Sequence, residues 1–410
     1  MSNSNFSLDS LRIGVGGQDR QLSINHVLKI LYEEDIKQSS THLEITVTDS
    51  ESGFISGLQG MEPLVISYSD NAENTHTALY TVYDIQDRGV TGDGKSKATL
   101  MCCSQELIQN SAMKLSRRFG KGEGKLVSDI VAKDILENIL RTPKQVFAQP
   151  TKNKISFISP YWCPLTIIKW LCGRSMGVSG SGKNASAGYC FYENMLGYFF
   201  KSFDSFSTEV PRKAFIVGYD PAPNEDMGGK IPVDAMKVVS SSDVIKGLNL
   251  GSYSSNVMTL DLKDMKYTEY PFNINEYYEK IPRLNPNTPL PSYYAAFQRG
   301  TAATRIMSKV VDTALFTEGT HTQDFTKQIS QSALREKLFY NKQVEVSYIG
   351  DLDLYVGDVV ELFSYKGKSR EKDKQNSGKY VVGKIAREFV SRTDNMKTMV
   401  TLYTDSPGIE

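Results

Sequence analysis

PYWCPLTIIKWLCGRS, residues 160–175, and GYCFYENMLGYFFKSFDSF, residues 188–206, decide the fold, because they join an apolar helix to the most aromatic stretch of the chain. Pro164 suits a first helical turn, where its missing N–H is no loss, and Leu165, Ile167, Ile168, Trp170 and Leu171 then put apolar side chains on most sides. Such a helix is expected inside a core. Beyond a Gly/Ser-rich loop, Tyr189-Cys190-Phe191-Tyr192 and Tyr198-Phe199-Phe200 flank Glu193-Asn194-Met195-Leu196-Gly197, a polar-ended turn closed by glycine, which reads as a β-hairpin. Trp170, Phe191, Tyr192, Phe199 and Phe200 are the candidate structural core residues, with either Phe191 or Phe199 facing inward.

This helix, loop and hairpin resemble the central lobe of the baseplate hub proteins of contractile-tailed (myovirus) bacteriophages, whose relatives include the spike bases of type VI secretion systems. The flanking sequence is similar to that family in the same order. Upstream, residues 104–141 hold Val131, Ala132, Ile135, Leu136, Ile139 and Leu140 on one side of a helix, with Lys133, Asp134, Glu137 and Asn138 on the other. Arg117, Arg118, Lys121 and Lys125 form a basic run that reads as a solvated link, with a binding patch as the alternative. Further upstream the period is two: Leu43, Ile45 and Val47 alternate with polar residues, as do Leu64, Ile66 and Tyr68, and 78–85 and 97–103 supply two more strands. Regular short strands imply a sandwich or barrel. The segment with Asp49-Ser50 and Gly60-Met61-Glu62 is similar to the first barrel of the hub family.

Downstream, residues 213–291 are rich in Pro, Gly and Asn, with strands expected at 244–250 and 258–262. Tyr267, Tyr270, Phe272, Tyr277, Tyr278, Tyr293 and Tyr294 crowd this interval; without a basic stripe they point to packing or protein interfaces before bases or sugars. Residues 304–315 suit a strand or a helix, and the resemblance implies a strand. Phe325, Ile329 and Ala333 set a helix over 323–340, followed by four strands at QVEVSY, VGDVVELFSY, KYVVGKIAREFV and KTMVTLY. The polar loop around 366–379 is expected to be solvated, with an assembly contact as the alternative. The run Tyr355-Val356-Gly357-Asp358-Val359 and the start Tyr380-Val381-Val382 match the end of the hub proteins.

Composition bounds the function. A chain of 410 residues is long for one core, and about 150 residues per domain gives two to four. Lys plus Arg equals Asp plus Glu at 47 each, which provides no electrostatic footprint for nucleic acid or an anionic membrane. The N-terminus MSNSNFSLDS lacks the charge and apolar run of a signal peptide, and no stretch approaches the roughly 20 apolar residues of a membrane span, so a soluble cytoplasmic product without membrane insertion is expected. Cys102, Cys103, Cys163, Cys172 and Cys190, with His26, His42, His76 and His321, show no metal-ligand spacing, and the thiols read as small buried side chains.

Gly177 to Lys183 has the glycine and lysine spacing of a phosphate loop, but Asn184 stands where Ser or Thr should hold magnesium. Its flanks also run helix then strand, the reverse of what a phosphate cradle needs. Asp351/Asp353 and Asp261/Asp264 read as solvated turns. No catalytic, cofactor or metal residue is assigned, and the chain reads as non-enzymatic. A nucleotide-binding enzyme using Lys183 and a carbohydrate-binding β-protein using the tyrosines are the competing classes.

The expected fold is α+β, mainly β. It comprises a tube-like β-barrel over 1–106, a linker helix and middle α/β lobe over 107–237, a discontinuous second barrel from 238–272 with 333–405, and a loop-rich insertion at 273–332. The resemblance implies a homotrimer, whose two barrels per chain match a six-fold tail tube. It further implies a central spike or tail-lysozyme protein, the tail tube protein, baseplate wedge proteins and the tape measure protein as partners, and no sequence-specific nucleic acid binding. Location follows as the virion tail baseplate, with the host cytoplasm during assembly.

Overall fold

The aromatic hairpin forms from Tyr189–Asn194 and Gly197–Ser202, antiparallel, with Phe191 opposite Phe200 and Tyr192 opposite Phe199. Side chains alternate across a strand, and both faces of this hairpin are covered. Tyr189, Phe191, Tyr198 and Phe200 enter one core with the helix Pro164–Cys172 and the helical segments Val127–Asp129 and Ile130–Ile139. Cys190, Tyr192 and Phe199 face a second core built by the C-terminal strands. Burial on both sides explains an unbroken aromatic run where a half-exposed hairpin would alternate. Phe191, Tyr192 and Phe200 are buried, whereas Trp170 and Phe199 are half-buried. Trp170 lies against Phe157 and Trp162, with the Arg174 guanidinium 3.9 Å above its ring. Phe199 stacks on both Phe147 and Tyr192. The strand Gln145–Ala148 runs parallel to Gly197–Ser202 so closely that a Cβ at Gly197 would meet the Gln145 carbonyl oxygen at 2.2 Å.

The computed structural model describes residues 6–49, 53–92, 94–178, 188–219, 227–240, 245, 249, 254–273, 282–287, 305–311, 335–366, 371–391, 395–406 and 408. Its fold is α+β and mainly β. Two halves of the main sheet share one strand order. The first half has, in chain order, Val27–Asp35, His42–Asp49, Pro63–Asp70, Thr75–Val90 and Ser96–Ser104. The second has Ala235–Ser240, Lys342–Ile349, Val359–Ser364, Gly378–Val390 and Asn395–Thr404. In both, the strands lie side by side as third, fourth, fifth, second, first, each pair antiparallel.

Local detail repeats as well. The fourth strand bulges after Val82 in the first half and after Val382 in the second. A left-handed residue enters each third strand, Met61 at φ 73° and Gly357 at φ 91°. Met61 N–H donates to the Val82 carbonyl at 2.7 Å, and Gly357 N–H to the Val382 carbonyl at 2.8 Å. Glycine is required in the second turn, because a Cβ there would sit 1.9 Å from the Tyr192 hydroxyl. The halves join edge to edge: Lys384 through Val390 pair antiparallel with Asp35 through Lys29. Each half wraps an apolar core of its own, although Leu352, Phe389 and Met396 of the second half enter the core of the first.

Two expectations are corrected. Of the early strands expected from 238–272, only the end of Ala235–Ser240 joins the second half, with Val238 and Ser240 opposite Val344 and Gln343; the other strand before the insertion is Lys213–Val217, parallel to Val359–Ser364. The apolar run Ala214-Phe215-Ile216-Val217 suits a parallel strand in a covered sheet. Ser254–Asp261 instead forms a separate three-stranded sheet with Lys266–Asn273 and Arg305–Val311, and Pro271 lies on an edge strand of it, where a missing N–H is tolerated. Nor is Asp351 a solvated turn residue: its carboxylate accepts from Lys213 Nζ at 2.6 Å and from the Tyr348 hydroxyl at 2.9 Å. The strand at Arg305–Val311 falls within the ambiguous 304–315 stretch. Lys183, Asn184, Tyr277, Tyr278, Tyr293, Tyr294, Phe325, Ile329 and Ala333 lie outside the described residues, as do 244, 246–248 and 250 of the strand expected at 244–250.

Candidate functional site

The hairpin tip enters the seam between the two halves, and buried charges collect around it. On one side Glu193, 2% exposed at its side chain, accepts from Lys144 Nζ at 2.5 Å, from Ser104 Oγ at 2.7 and 2.8 Å, and from Thr41 N–H at 3.1 Å. Lys144 also donates to Glu106 Oε2 at 2.9 Å, and the Thr142 hydroxyl donates to Glu106 Oε1 at 2.6 Å. Glu106 belongs in the first turn of the helix Gln105–Ala112, where a carboxylate meets the free N–H groups. Burial pushes its pKa up, but Lys144 and Thr142 outweigh that and hold it below the usual carboxylate range. Burial alone would lower the Lys144 pKa; the two carboxylates raise it instead. The helix that follows the first half, the hairpin and the link before Gln145–Ala148 are thus tied by one ammonium.

On the other side of the tip, Glu34 is fully buried. Its carboxylate accepts from the Tyr32 hydroxyl at 2.7 Å, from Met195 N–H at 2.8 Å and from Val356 N–H at 3.0 Å. Those donors come from the first half, the hairpin turn and the second half respectively. Burial raises the Glu34 pKa, with the Arg387 guanidinium and these donors opposing. Arg387, buried in the second half, donates to the carbonyls of Asp351, at 3.0 Å, and Leu354. Asn194 closes the ring by donating to the Val356 carbonyl at 3.0 Å. A second buried cation, Arg335, bonds Asp405 at 2.6 Å, Asp204 at 3.2 Å and the Pro282 carbonyl at 2.5 Å, pinning the middle lobe to the end of the last strand.

Buried polar groups persist where their partners are supplied internally, and these carboxylates are answered by side chains and N–H groups of the chain itself. The arrangement is chemically a clasp that fixes the relative orientation of three layers. A cavity of about 210 Å³ opens beside it, lined by Tyr32, His76, Tyr80, Lys144 and Glu193 among others. Burial lowers the His76 imidazole to about 3. Among the described residues, no three His, Cys, Asp or Glu side chains are placed to hold a metal ion. The near phosphate loop is preceded by the helix Pro164–Cys172 and followed by the strand Tyr189–Asn194.

The candidate core aromatics border this clasp without forming it: Tyr192 presses on Gly357 and Phe199 on Phe147, while Phe191 and Phe200 face the middle lobe. Sequence reading passed over Glu34, Lys144, Glu106, Arg335 and Arg387. One signal was present. Arg387 shares its parity with Ile385 and Phe389, so a strand that buries those residues must bury an arginine with them.

No family model matches the chain, and no curated protein matches it in sequence. Among solved structures, the tail protein from Neisseria meningitidis MC58 superimposes at TM-score 0.57 with 9% identity, covering 99% of this chain and 100% of that one. The 43 kDa tail protein of prophage MuSo2 from Shewanella oneidensis gives TM-score 0.53 at 10% identity, covering 97% and 98%. The chain therefore shares its fold, end to end, with these tail proteins.

Proposed function

We propose that this chain is a non-enzymatic structural protein of a phage-type tail, the central baseplate hub that adapts a six-fold tail tube to a three-fold central spike for host-cell puncture and genome delivery. The observation that carries the reading is the doubled five-strand unit: one chain holds two units of equal topology in one continuous sheet, so three chains supply six. The full-length fold likeness to two tail proteins supports the same setting. In this reading 1–106 and the C-terminal half are the tube-like units, the lobe around Trp170, Phe191, Tyr192, Phe199 and Phe200 provides structural core, and the clasp holds the units at the fixed angle a ring demands. Closure of a repeated head-to-tail contact into a ring leaves no unsatisfied surface. The proposed partners are two further copies of the chain, a central spike or tail-lysozyme protein, the tail tube protein, baseplate wedge proteins and the tape measure protein. The site of action is the virion baseplate, after assembly in the host cytoplasm.

Imaging of assembled particles carrying a tagged copy tests this. Three tags around the tail axis at the junction of tube and spike are expected. Six copies, or tags away from the axis, would remove the adaptor role.

A further inference from the structure

The equal totals of Lys plus Arg and Asp plus Glu conceal a segregation. Residues 107–178 hold 12 Lys and Arg against 4 Asp and Glu, a formal charge of +8, whereas residues 1–106 hold 7 against 15, a formal charge of −8. Within 107–178, Lys125 pairs with Asp134 at 2.7 Å, Lys133 pairs with Asp129 at 3.0 Å, and Lys144 belongs to the clasp. The other 9 cations have no carboxylate partner among the described residues.

Two short ladders gather several of them on one face. Arg118–Phe119 pairs antiparallel with Phe157–Ile158, and Lys125–Leu126 with Lys154–Ile155. Residues opposed across a ladder share a face, and so do alternate residues of an extended segment. Phe119, Ile155 and Phe157 point into the middle core, so Arg118, Lys154 and Ile158 point away from it. Arg118 marks that outer face by donating to Ser156 Oγ at 3.3 Å, and Lys152 continues the outward alternation past buried Asn153. Exposed Arg117 and Lys121 flank the strip, Lys121 on the turn that joins the two ladders.

Apolar side chains project beside these cations. Ile158 is 68% exposed and Tyr161 is 70% exposed. Tyr161 also has φ 56°, a left-handed backbone that is unfavourable for a bulky residue, and among the described residues its ring meets no other ring and its hydroxyl no partner. Nothing inside the chain offsets that strain. Cations around an aliphatic and an aromatic tip match the boundary layer of an anionic bilayer, where ammonium and guanidinium groups meet lipid phosphates while tyrosine and isoleucine enter beside the acyl chains. Nucleic acid would use the cations and stack a base on the tyrosine, but it leaves Ile158 without a role.

We propose that this strip is a peripheral docking surface for an anionic phospholipid membrane, with Arg118, Lys152 and Lys154 on headgroup phosphates and Ile158 and Tyr161 at the level of the upper acyl chains. The contact needs no spanning segment, and no helix among the described residues is long and apolar enough to cross a membrane. The inference goes beyond the function proposed above and uses only this chain's own surface.

Flotation of the purified full chain with phosphatidylcholine vesicles, with and without phosphatidylglycerol, tests this. Binding to the anionic vesicles only is expected, weakening as salt screens the cations. Arg118→Gln with Lys154→Gln should weaken it on the order of thirtyfold, at about fivefold for each cation near an anionic surface. Tyr161→Gly should weaken it severalfold without lowering the melting temperature, since glycine accepts the left-handed backbone. Lys397→Gln, which removes an exposed lysine of the second half, should leave it unchanged. No binding to anionic vesicles at low salt, or equal loss from Lys397→Gln, overturns the membrane surface. So does binding to duplex DNA that matches the vesicles and ignores Tyr161→Gly, which would assign the strip to nucleic acid. Vesicle binding by a chain that imaging places outside a tail would keep this surface and remove the hub reading; a hub image without vesicle binding would do the reverse.

Discussion

The first strand of each β half holds the same place in the same topology, yet the two are treated oppositely. Val27–Asp35 is paired on both edges and sends Ile30 and Tyr32 into a core and Glu34 into the clasp. Ala235–Ser240 is paired on one edge only and leaves Val238 and Val239 largely in solvent. Topology alone therefore does not set burial; the neighbour on the outer edge does. Where the chain supplies that neighbour the strand is core, and where it does not the same position becomes a surface that another molecule can complete.

Mutations can break this comparison directly. Tyr32→Ala removes a buried ring and the hydroxyl that serves Glu34, and should destabilise the chain by about 3–5 kcal/mol in urea melts. Loss of under about 1 kcal/mol would mean that the internal junction is not a core. Arg387→Met comes next, because it strips donors from the Asp351 and Leu354 carbonyls and leaves Glu34 without its positive neighbour, an arrangement expected to cost about 3 kcal/mol. The bulged stretch in the matching part of the first half is exposed, so Gln86→Ala should stay within about 0.5 kcal/mol. Equal effects from the two substitutions would erase the contrast between closed and open edges.

Acid separates the halves in another way. His76, on the fourth strand of the first half, is held neutral down to about pH 3 by burial, and Gly378–Val390 contains no histidine. The unfolded chain takes up that proton below its ordinary pKa of about 6.5 while the native chain does not, so stability is lost as pH falls from there toward 3. The slope approaches about 1.4 kcal/mol per pH unit, and His76→Asn should remove it relative to the parent. Parallel pH profiles for parent and variant would show that the imidazole titrates freely. The smallest expected effect is on the open edge: Val238→Ala should change the melting of the isolated chain by no more than about 0.5 kcal/mol. A large loss there would mean that the strand is already covered.

Elements with local periodicity were readable from sequence. The alternation of Leu43, Ile45 and Val47, the apolar side of Val131, Ile135 and Leu136, and the hairpin closed by Gly197 each depend on neighbours in the chain. The repeat was implied only by the family resemblance and not by local pattern, because register passes through bulges and pairings far apart in sequence: Lys213–Val217 finds its partners in Val359–Ser364 147 residues on, and the third to fifth strands of one half share little with their counterparts beyond position. The clasp was hidden for the same reason. Glu193 is a plain turn residue until Lys144 and Ser104 arrive from distant segments, and Glu34 is an ordinary acid beside Glu33 until Met195 and Val356 aim their N–H groups at it.

The junction between residues 384–390 and 29–35 also has a mechanical side. Its hydrogen bonds run across the strands, so a pull along the strand axis loads the whole ladder in shear, and the rungs must fail together. A pull across the strands peels them one rung at a time and needs far less force. A molecule built on this seam is stiff to sliding and weak to tearing, and Glu34, on the rung next to one end of the ladder, adds its Met195 and Val356 contacts to that end.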